Sequence, residues 1–352
     1  MFHSIRRLVR FALLGLALAA LIVACQTTPV ERPLASSSST AVDNCRVVEH
    51  FEGKTEVCGQ PQKVVALSPY VLDMMLGLGV QPAAFAQSAN SSAEIVQIYD
   101  NPASQIPYLG QWITTKPVAL GDRNTPSLER LTSLQPDLIL GESFQNDKYS
   151  LLTKIAPTLL FDGLALRDGK AQFWRENIEA IAHALGRDQQ AKELLATRDN
   201  YVAQAREALQ PVLQAYPRVL LIGSDLVDRV FWLSENIVTA SLLKEIGFEL
   251  VQPEGVEFSA EVSWEILPDI EADIVMVLDW NTERFMKPEA SRQDKWAQKP
   301  LLNAMPVFQQ GRVFFADYYL WANHLRGPLS EGLILKSLPD LLLPTVADKK
   351  NA

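Results

Sequence analysis

Ser127 to Leu140 reads SLERLTSLQPDLIL, and Ser263 to Met276 reads SWEILPDIEADIVM, 136 positions further on and aligned without a gap. Ser127 falls on Ser263, Glu129 on Glu265, Leu131 on Leu267, Leu134 on Ile270 and Asp137 on Asp273. In each copy a serine suited to N-capping precedes apolar residues at helical spacing, and an aspartate opens an unbroken apolar run. Each copy therefore predicts a short helix entering a buried strand. A unit used twice so far apart predicts two lobes of like construction with a cleft between them.

Strand and helix signals alternate around both copies. Before the first, Lys63 to Ser68 (KVVALS) predicts a strand, Val71 to Leu78 a helix with Tyr70 at its mouth, and Ala83 to Ala86 a short strand. The segment from Ser88 to Pro107 predicts a helix and a loop. Tyr108 to Trp112 then leads by loop into the repeat, and Thr158 to Phe161 predicts a strand after it. Around the second copy, strands are expected at Arg218 to Gly223, Phe248 to Val251, Asp273 to Asp279 and Val313 to Ala316. Helices are expected at Val238 to Ile246, closed by Gly247, and at Leu329 to Leu338, packed on the sheet. The fold class is α/β, two Rossmann-like lobes with parallel sheets. Between them lie an amphipathic helix from Phe173 to Leu185 and a long one from Asp188 to about Leu213, with Pro211 placed to bend or end it. The expected organisation is a signal peptide over 1–24, a tether over 25–44, an N-terminal lobe over 45–187, an interlobe helix over 188–213, a C-terminal lobe over 214–345 and a tail over 346–352.

The first 24 residues stand apart. Arg6, Arg7 and Arg10 precede an apolar run of 14 residues, Phe11 to Ala24. That is short of the roughly 20 needed to span a bilayer and suits an export signal. Its end, Ile22-Val23-Ala24-Cys25, resembles a bacterial lipobox, which implies lipidation of Cys25. Gln26 to Asn44 is rich in Ser, Thr and Pro and predicts a flexible tether. Losing residues 1–24 takes the formal charge from −9 to −12. Such acidity argues against nucleic acid or an anionic membrane surface as partner. Outside the cytoplasm, Cys45 and Cys58 are most simply a disulfide, while a metal site would have only His50 between them to add.

Signatures of catalysis are missing: no G-x-S-x-G, H-E-x-x-H, P-loop or Rossmann glycine pattern occurs. Three scattered histidines remain after export, His50, His183 and His324, and they make no convergent metal set. Glu129 and Glu265 each lie two residues past a serine cap, where the helix dipole favours a carboxylate by ~0.3–1 kcal/mol. The dipole does not explain why the same acid tops both lobes. Aromatic and arginine residues collect in loops at strand ends: Tyr70, Trp112, Arg123, Trp232, Trp280, Arg284, Tyr318, Tyr319, Trp321 and Arg326. Open α/β sheets bind ligands outside the carboxyl ends of their strands. An aromatic wall with guanidinium forks suits a medium-sized, anionic, oxygen-rich ligand such as a chelated ferric ion.

With these residues in view, the chain resembles a substrate-binding lipoprotein of an iron–siderophore ABC importer, of the helix-linked bilobal type that also includes cobalamin and haem binders. The resemblance covers about Cys45 to Leu342. It is carried by KVVALS after a cysteine pair, by SLERLTSLQPDLILG, by the mid-chain helix and by the ending FFADYYLWANHLRGPLSEGL. It implies a monomeric, lipid-anchored protein of the periplasm or cell surface, without catalysis or cofactor, whose ligand carries the Fe(III). A permease dimer with a cytoplasmic ATPase is the implied partner. Glu129 and Glu265 match the family's permease-docking glutamates, Arg123 matches a ligand-contacting arginine six residues ahead of the first, and Arg326 resembles a late cleft residue. Trp112, Trp280, Trp232, Tyr70 and Trp321 are expected in the ligand wall from placement alone. Cobalamin or haem is the alternative ligand class, disfavoured by acidity and by the lack of cleft histidines. A surface-anchored hydrolase is the remote alternative, and it would need His324 as its base.

Overall fold

A computed structural model describes residues 44–88, 96–163, 166–167, 170–171, 174–224, 229–233, 237–251, 260–279, 296, 299–322 and 324–347. The signal peptide, Cys25, the tether, Trp280 and Arg284 lie outside the described residues. Cys45 opens a hairpin of β1 (Cys45–His50) and β2 (Gly53–Cys58), and a disulfide joins its terminal pair, Cys45 and Cys58.

The first lobe is a parallel five-stranded sheet made of β3 (Val64–Ala66), β4 (Ala84–Gln87), β5 (Val118–Asp122), β6 (Leu138–Glu142) and β7 (Thr158–Phe161), in the order β5-β4-β3-β6-β7. All of β3, β4, β6 and β7 is buried, as expected of strands covered on both faces. Helix α1 (Pro69–Gly77) follows β3, with Ser68 as N-cap and proline at its start. Strand β5 has no counterpart in the periodicity reading. Its apolar core, Val118 to Leu120, is short and runs straight into a glycine turn, with Gly121 at φ +81°.

Two helices lead out of this lobe. α3 (Ile178–Leu185) starts five residues later than its apolar pattern suggests, and Gly186 ends it in the left-handed conformation. α4 (Asp188–Ala208) is the long connector, and it ends four residues before Val212. Leu209 separates it from α5 (Gln210–Ala215), where Pro211 occupies the first turn and has no N–H to continue the earlier ladder.

The second sheet comprises β8 (Arg218–Ser224), β9 (Val230–Trp232), β10 (Glu249–Val251), β11 (Glu261–Val262), β12 (Ile274–Asp279) and β13 (Val313–Asp317). β8, β10, β12 and β13 are parallel, whereas β9 and β11 add an antiparallel edge. The last helix, α7 (Pro328–Leu342), packs on α4, on α1 and on α6 (Val238–Ile246), and its buried residues share one core cluster with strands of both sheets. Asp73 of α1 draws its start there by accepting from the Leu329 and Ser330 amides at 2.8 and 3.1 Å. The chain also runs helical over Pro344–Ala347, across the expected lobe boundary at 345 into the first positions of the expected tail.

The repeated stretches fold alike but not identically. The first forms α2 (Leu128–Leu134), its amide at Arg130 donating to Ser127 Oγ at 3.3 Å. The second is a 3-10 helix, Trp264–Asp269, capped by Ser263 and interrupted by Pro268, which removes a donor from its middle. The repeated aspartates have one job. Asp137 accepts from the amides of Gln62 and Lys63, both at 2.8 Å, and Asp273 accepts from the Arg218 amide at 2.9 Å. Each staples the start of its strand to the neighbouring strand, and the two amide bonds hold the Asp137 carboxyl below the usual range.

Candidate functional site

Parallel strands deliver their carboxyl ends to one edge of each sheet, and there the polar residues gather. In the second lobe Ser224, Asp279 and Asp317 stand side by side as the last residues of three adjacent strands. In the first lobe, Gln87 and Asp122 are partners at the ends of β4 and β5, and Glu142 ends β6. Arg123 follows the Gly121 turn. Its amide donates to the Gln87 carbonyl at 2.6 Å, and the Asp122 carboxylate holds the turn by accepting from the Asn124 amide.

Glu142 is the point of convergence. It is 3% exposed, forms an ion pair with Arg326 through Oε2, and faces Arg123 Nη1 through Oε1 at 3.6 Å. Arg326 is itself buried, its guanidinium 4.8 Å from the centre of the Tyr70 ring. Arg123 is partly open, with 22% of its side chain exposed, and lies over Phe144 at 5.0 Å. The two expected ligand arginines are thus brought together, but around a protein carboxylate.

Gln145 fixes this geometry. Buried to 1%, it donates to the carbonyls of Leu67 at 3.1 Å and Arg123 at 2.7 Å, and accepts from the Glu142 amide at 2.9 Å. One side chain therefore clips the ends of three strands. Gly141 makes room for it, because a Cβ there would lie 2.4 Å from the Gln145 oxygen.

An aromatic stack crosses from one lobe to the other. The Tyr108 hydroxyl donates to Asp317 at 2.5 Å. Its ring lies parallel to Tyr319 at 6.4 Å, and Tyr319 stacks on His324 at 5.0 Å with 19° between planes. Burial, aided by the positive charges of Arg123 and Arg326, pushes His324 down to about 3, so the imidazole is neutral. A base that weak takes up few protons near neutrality. Burial pushes Asp317 up to about 7 against amide bonds from Tyr319 and Leu320.

The expected aromatic wall is different from the observed one. Trp232 pairs with Ile222 and is 3% exposed within the core of the second lobe. Trp321 is buried, its carbonyl accepting from the Thr239 hydroxyl. Tyr70 has no exposed surface; its hydroxyl accepts from Asn177 at 2.7 Å, and its ring supports Arg326. Trp112 is half-buried, and its carbonyl accepts from Gln81, ahead of β4 and opposite the Gln87 end. Large aromatics at strand ends were drawn into the core because burying them stabilises more than lining an aqueous wall would. The residues at the interlobe edge are Tyr108, Tyr319, His324 and Phe144. Glu142, which the sequence reading missed, left one signal there, a charged residue closing an apolar run (LILGE).

Glu129 and Glu265 are both exposed, on the first turns after Ser127 and Ser263. Among the described residues neither carboxylate makes an ion pair or hydrogen bond.

Two α/β lobes linked by a long helix, with polar groups converging at the carboxyl ends of both sheets, have the layout of a two-lobed ligand-binding protein. Residues 64–320 match the family described as Periplasmic binding protein, and the chain belongs to that family. The Fe(3+)-citrate-binding protein YfmC of Bacillus subtilis is 26% identical over 311 residues, covering 88% of this chain and 90% of its own. The probable siderophore-binding lipoprotein YfiY of Bacillus subtilis is 22% identical, covering 81% and 84%. Among solved structures, SirA of Staphylococcus aureus, complexed with staphyloferrin B, superposes with a TM-score of 0.64 at 19% identity, covering 85% of this chain and 98% of SirA.

Proposed function

We propose that this protein captures a ferric siderophore between its lobes and passes it to an ABC permease, catalysing no reaction itself. The observation that carries the reading is the interlobe edge itself. A half-open Arg123 lies beside the Tyr108–Tyr319–His324 stack, at the carboxyl ends of both sheets. The guanidinium can meet an anionic oxygen of the chelate while the rings cover its organic frame. The binding of ferric citrate and siderophores by the named relatives supports the same ligand class. Cys25 holds the protein to the membrane through lipid, and Glu129 and Glu265 are the handles by which each lobe engages one permease subunit.

The test is calorimetric titration with citrate-type, hydroxamate and catecholate ferric complexes, followed by iron uptake in cells. At least one complex should bind, and heat flat with all three would sink the proposal. Changing Glu129 and Glu265 together to Ala should abolish uptake while affinity stays within about twofold. A large loss of affinity would contradict docking.

A further inference from the structure

Two arginines sharing one carboxylate carry a single net positive charge. Glu142 is too buried to be a surface counterion and too well held to be incidental. Its backbone is clipped by Gln145 and its two oxygens are divided between Arg326 and Arg123. The two contacts differ. Arg326 is enclosed, 2% exposed, packed on Tyr70 and confined by Gly163, where a Cβ would come within 3.0 Å of its Nη2. Arg123 is 3.6 Å from the carboxylate, and 22% of its side chain is exposed. An incoming ligand can reach Arg123, whereas Arg326 is enclosed and paired with Glu142. The other groups near the cluster include Asp162, whose charge acts on Tyr70 alongside those of Arg326 and Glu142, the neutral His324, the Tyr108–Asp317 bond and the Tyr319 hydroxyl.

We infer that Glu142 is a specificity-determining residue, which halves the charge of the arginine pair and so matches the cleft to ferric complexes of low negative charge. This rests on the ferric-siderophore reading above. The carboxylate discriminates by repulsion as well as by neutralisation. A complex that brings several anionic oxygens to Arg123 also brings them toward Glu142, whose bond to Arg326 prevents its withdrawal. Between the permittivity of a protein surface and that of water, at about 6 Å, one unit of charge on each side changes affinity roughly tenfold. Removing the Glu142 charge should therefore tighten binding by about tenfold for each negative charge on the complex.

The experiment measures the affinities of a neutral ferric tris-hydroxamate and a trianionic ferric tris-catecholate for wild-type protein, Glu142→Gln, Glu142→Asp and Arg123→Gln. Glu142→Gln should favour the trianionic complex over the neutral one by two to three orders of magnitude relative to wild type, with the gain fading as salt is raised. Glu142→Asp should keep the wild-type ratio even if both affinities fall. Arg123→Gln should shift the ratio the other way, so the inference is still tested if Glu142→Gln does not fold. Equal shifts for both complexes, or an unchanged ratio in Arg123→Gln, would overturn it. Failure of wild-type protein to bind either complex, or a citrate-type complex added as a control, overturns the ferric-siderophore reading and this inference with it.

Discussion

Arg198 lies on α4, the connector between the lobes, and is 5% exposed. Its Nε donates to Glu331 of α7 at 3.0 Å, and Nη2 meets Glu245 of α6 at 2.5 Å. Burial works against its charge, but the two carboxylates outweigh burial and raise its pKa overall. Arg198→Met removes the cation while keeping a long apolar stem, which strands Glu331 at 2% exposure. Burial already pushes the Glu331 carboxyl up, with Arg198 the main opposing influence. Removing a partner from a buried ion pair costs about 3–5 kcal/mol. A stranded glutamate can limit the damage by taking up a proton. From an ordinary value of about 4.3, protonation at pH 7 costs at most about 3.7 kcal/mol, and at pH 5 only about 1. A raised acid contributes stability that is complete below its unfolded pKa and lost as pH rises. The penalty of Arg198→Met should accordingly be small at pH 5 and grow toward about 3–4 kcal/mol at pH 7. Chemical denaturation followed by far-ultraviolet circular dichroism at the two pH values measures it. The double variant Arg198→Met with Glu331→Leu should recover most of the loss, since no buried charge is left behind. A penalty that does not change with pH, or a double variant as unstable as the single one, would refute the reasoning.

Asp73 should impose a pH dependence of the same sign. Burial pushes its carboxyl up to about 6 against the bonds from Leu329 and Ser330, so its contribution to stability is complete below about pH 4 and lost as pH rises toward 6. Thermal melts from pH 4 to 7.5 should show Asp73→Asn flattening the curve relative to wild type; an identical pH profile would contradict this. Reducing the Cys45–Cys58 disulfide should cost about 2–4 kcal/mol by the chain-entropy reckoning for a short loop. Because the hairpin lies outside both large sheets, reduction should leave ligand affinity within about twofold, which titration with and without a reductant checks.

The alternation of strand and helix, the buried strands and the long connector follow from local pattern. Apolar period, serine caps and glycine stops act over a few residues, and most predicted elements fall within a few positions of those observed. Misses have local causes too. Val118 to Asp122 is too short and too close to a glycine turn to register as a strand, and Pro268 turns the second copy of the repeat into a 3-10 helix.

Of the candidate site, Arg123, Arg326 and Tyr319 stood out in the sequence, whereas Glu142 and Asp317 did not. Arg123 and Arg326 were singled out because each guanidinium lies near a strand end, and the fold brings both to Glu142. Trp232, Trp321 and Tyr70 were misplaced because an aromatic near a strand end can turn either inward or outward, and burial decides.

By itself the sequence determined that two lobes of one plan would form, since each repeated serine, leucine and aspartate serves a neighbour in its own segment or the strand beside it. Tertiary structure alone decided what faces the cleft. Glu142 and Arg326 lie 184 residues apart, Tyr108 and Asp317 lie 209 apart, and Asp73 reaches the start of α7 across 256. Those pairings exist because parallel strands bring their carboxyl ends to a common edge, and a one-dimensional pattern carries no record of which distant loops will meet there.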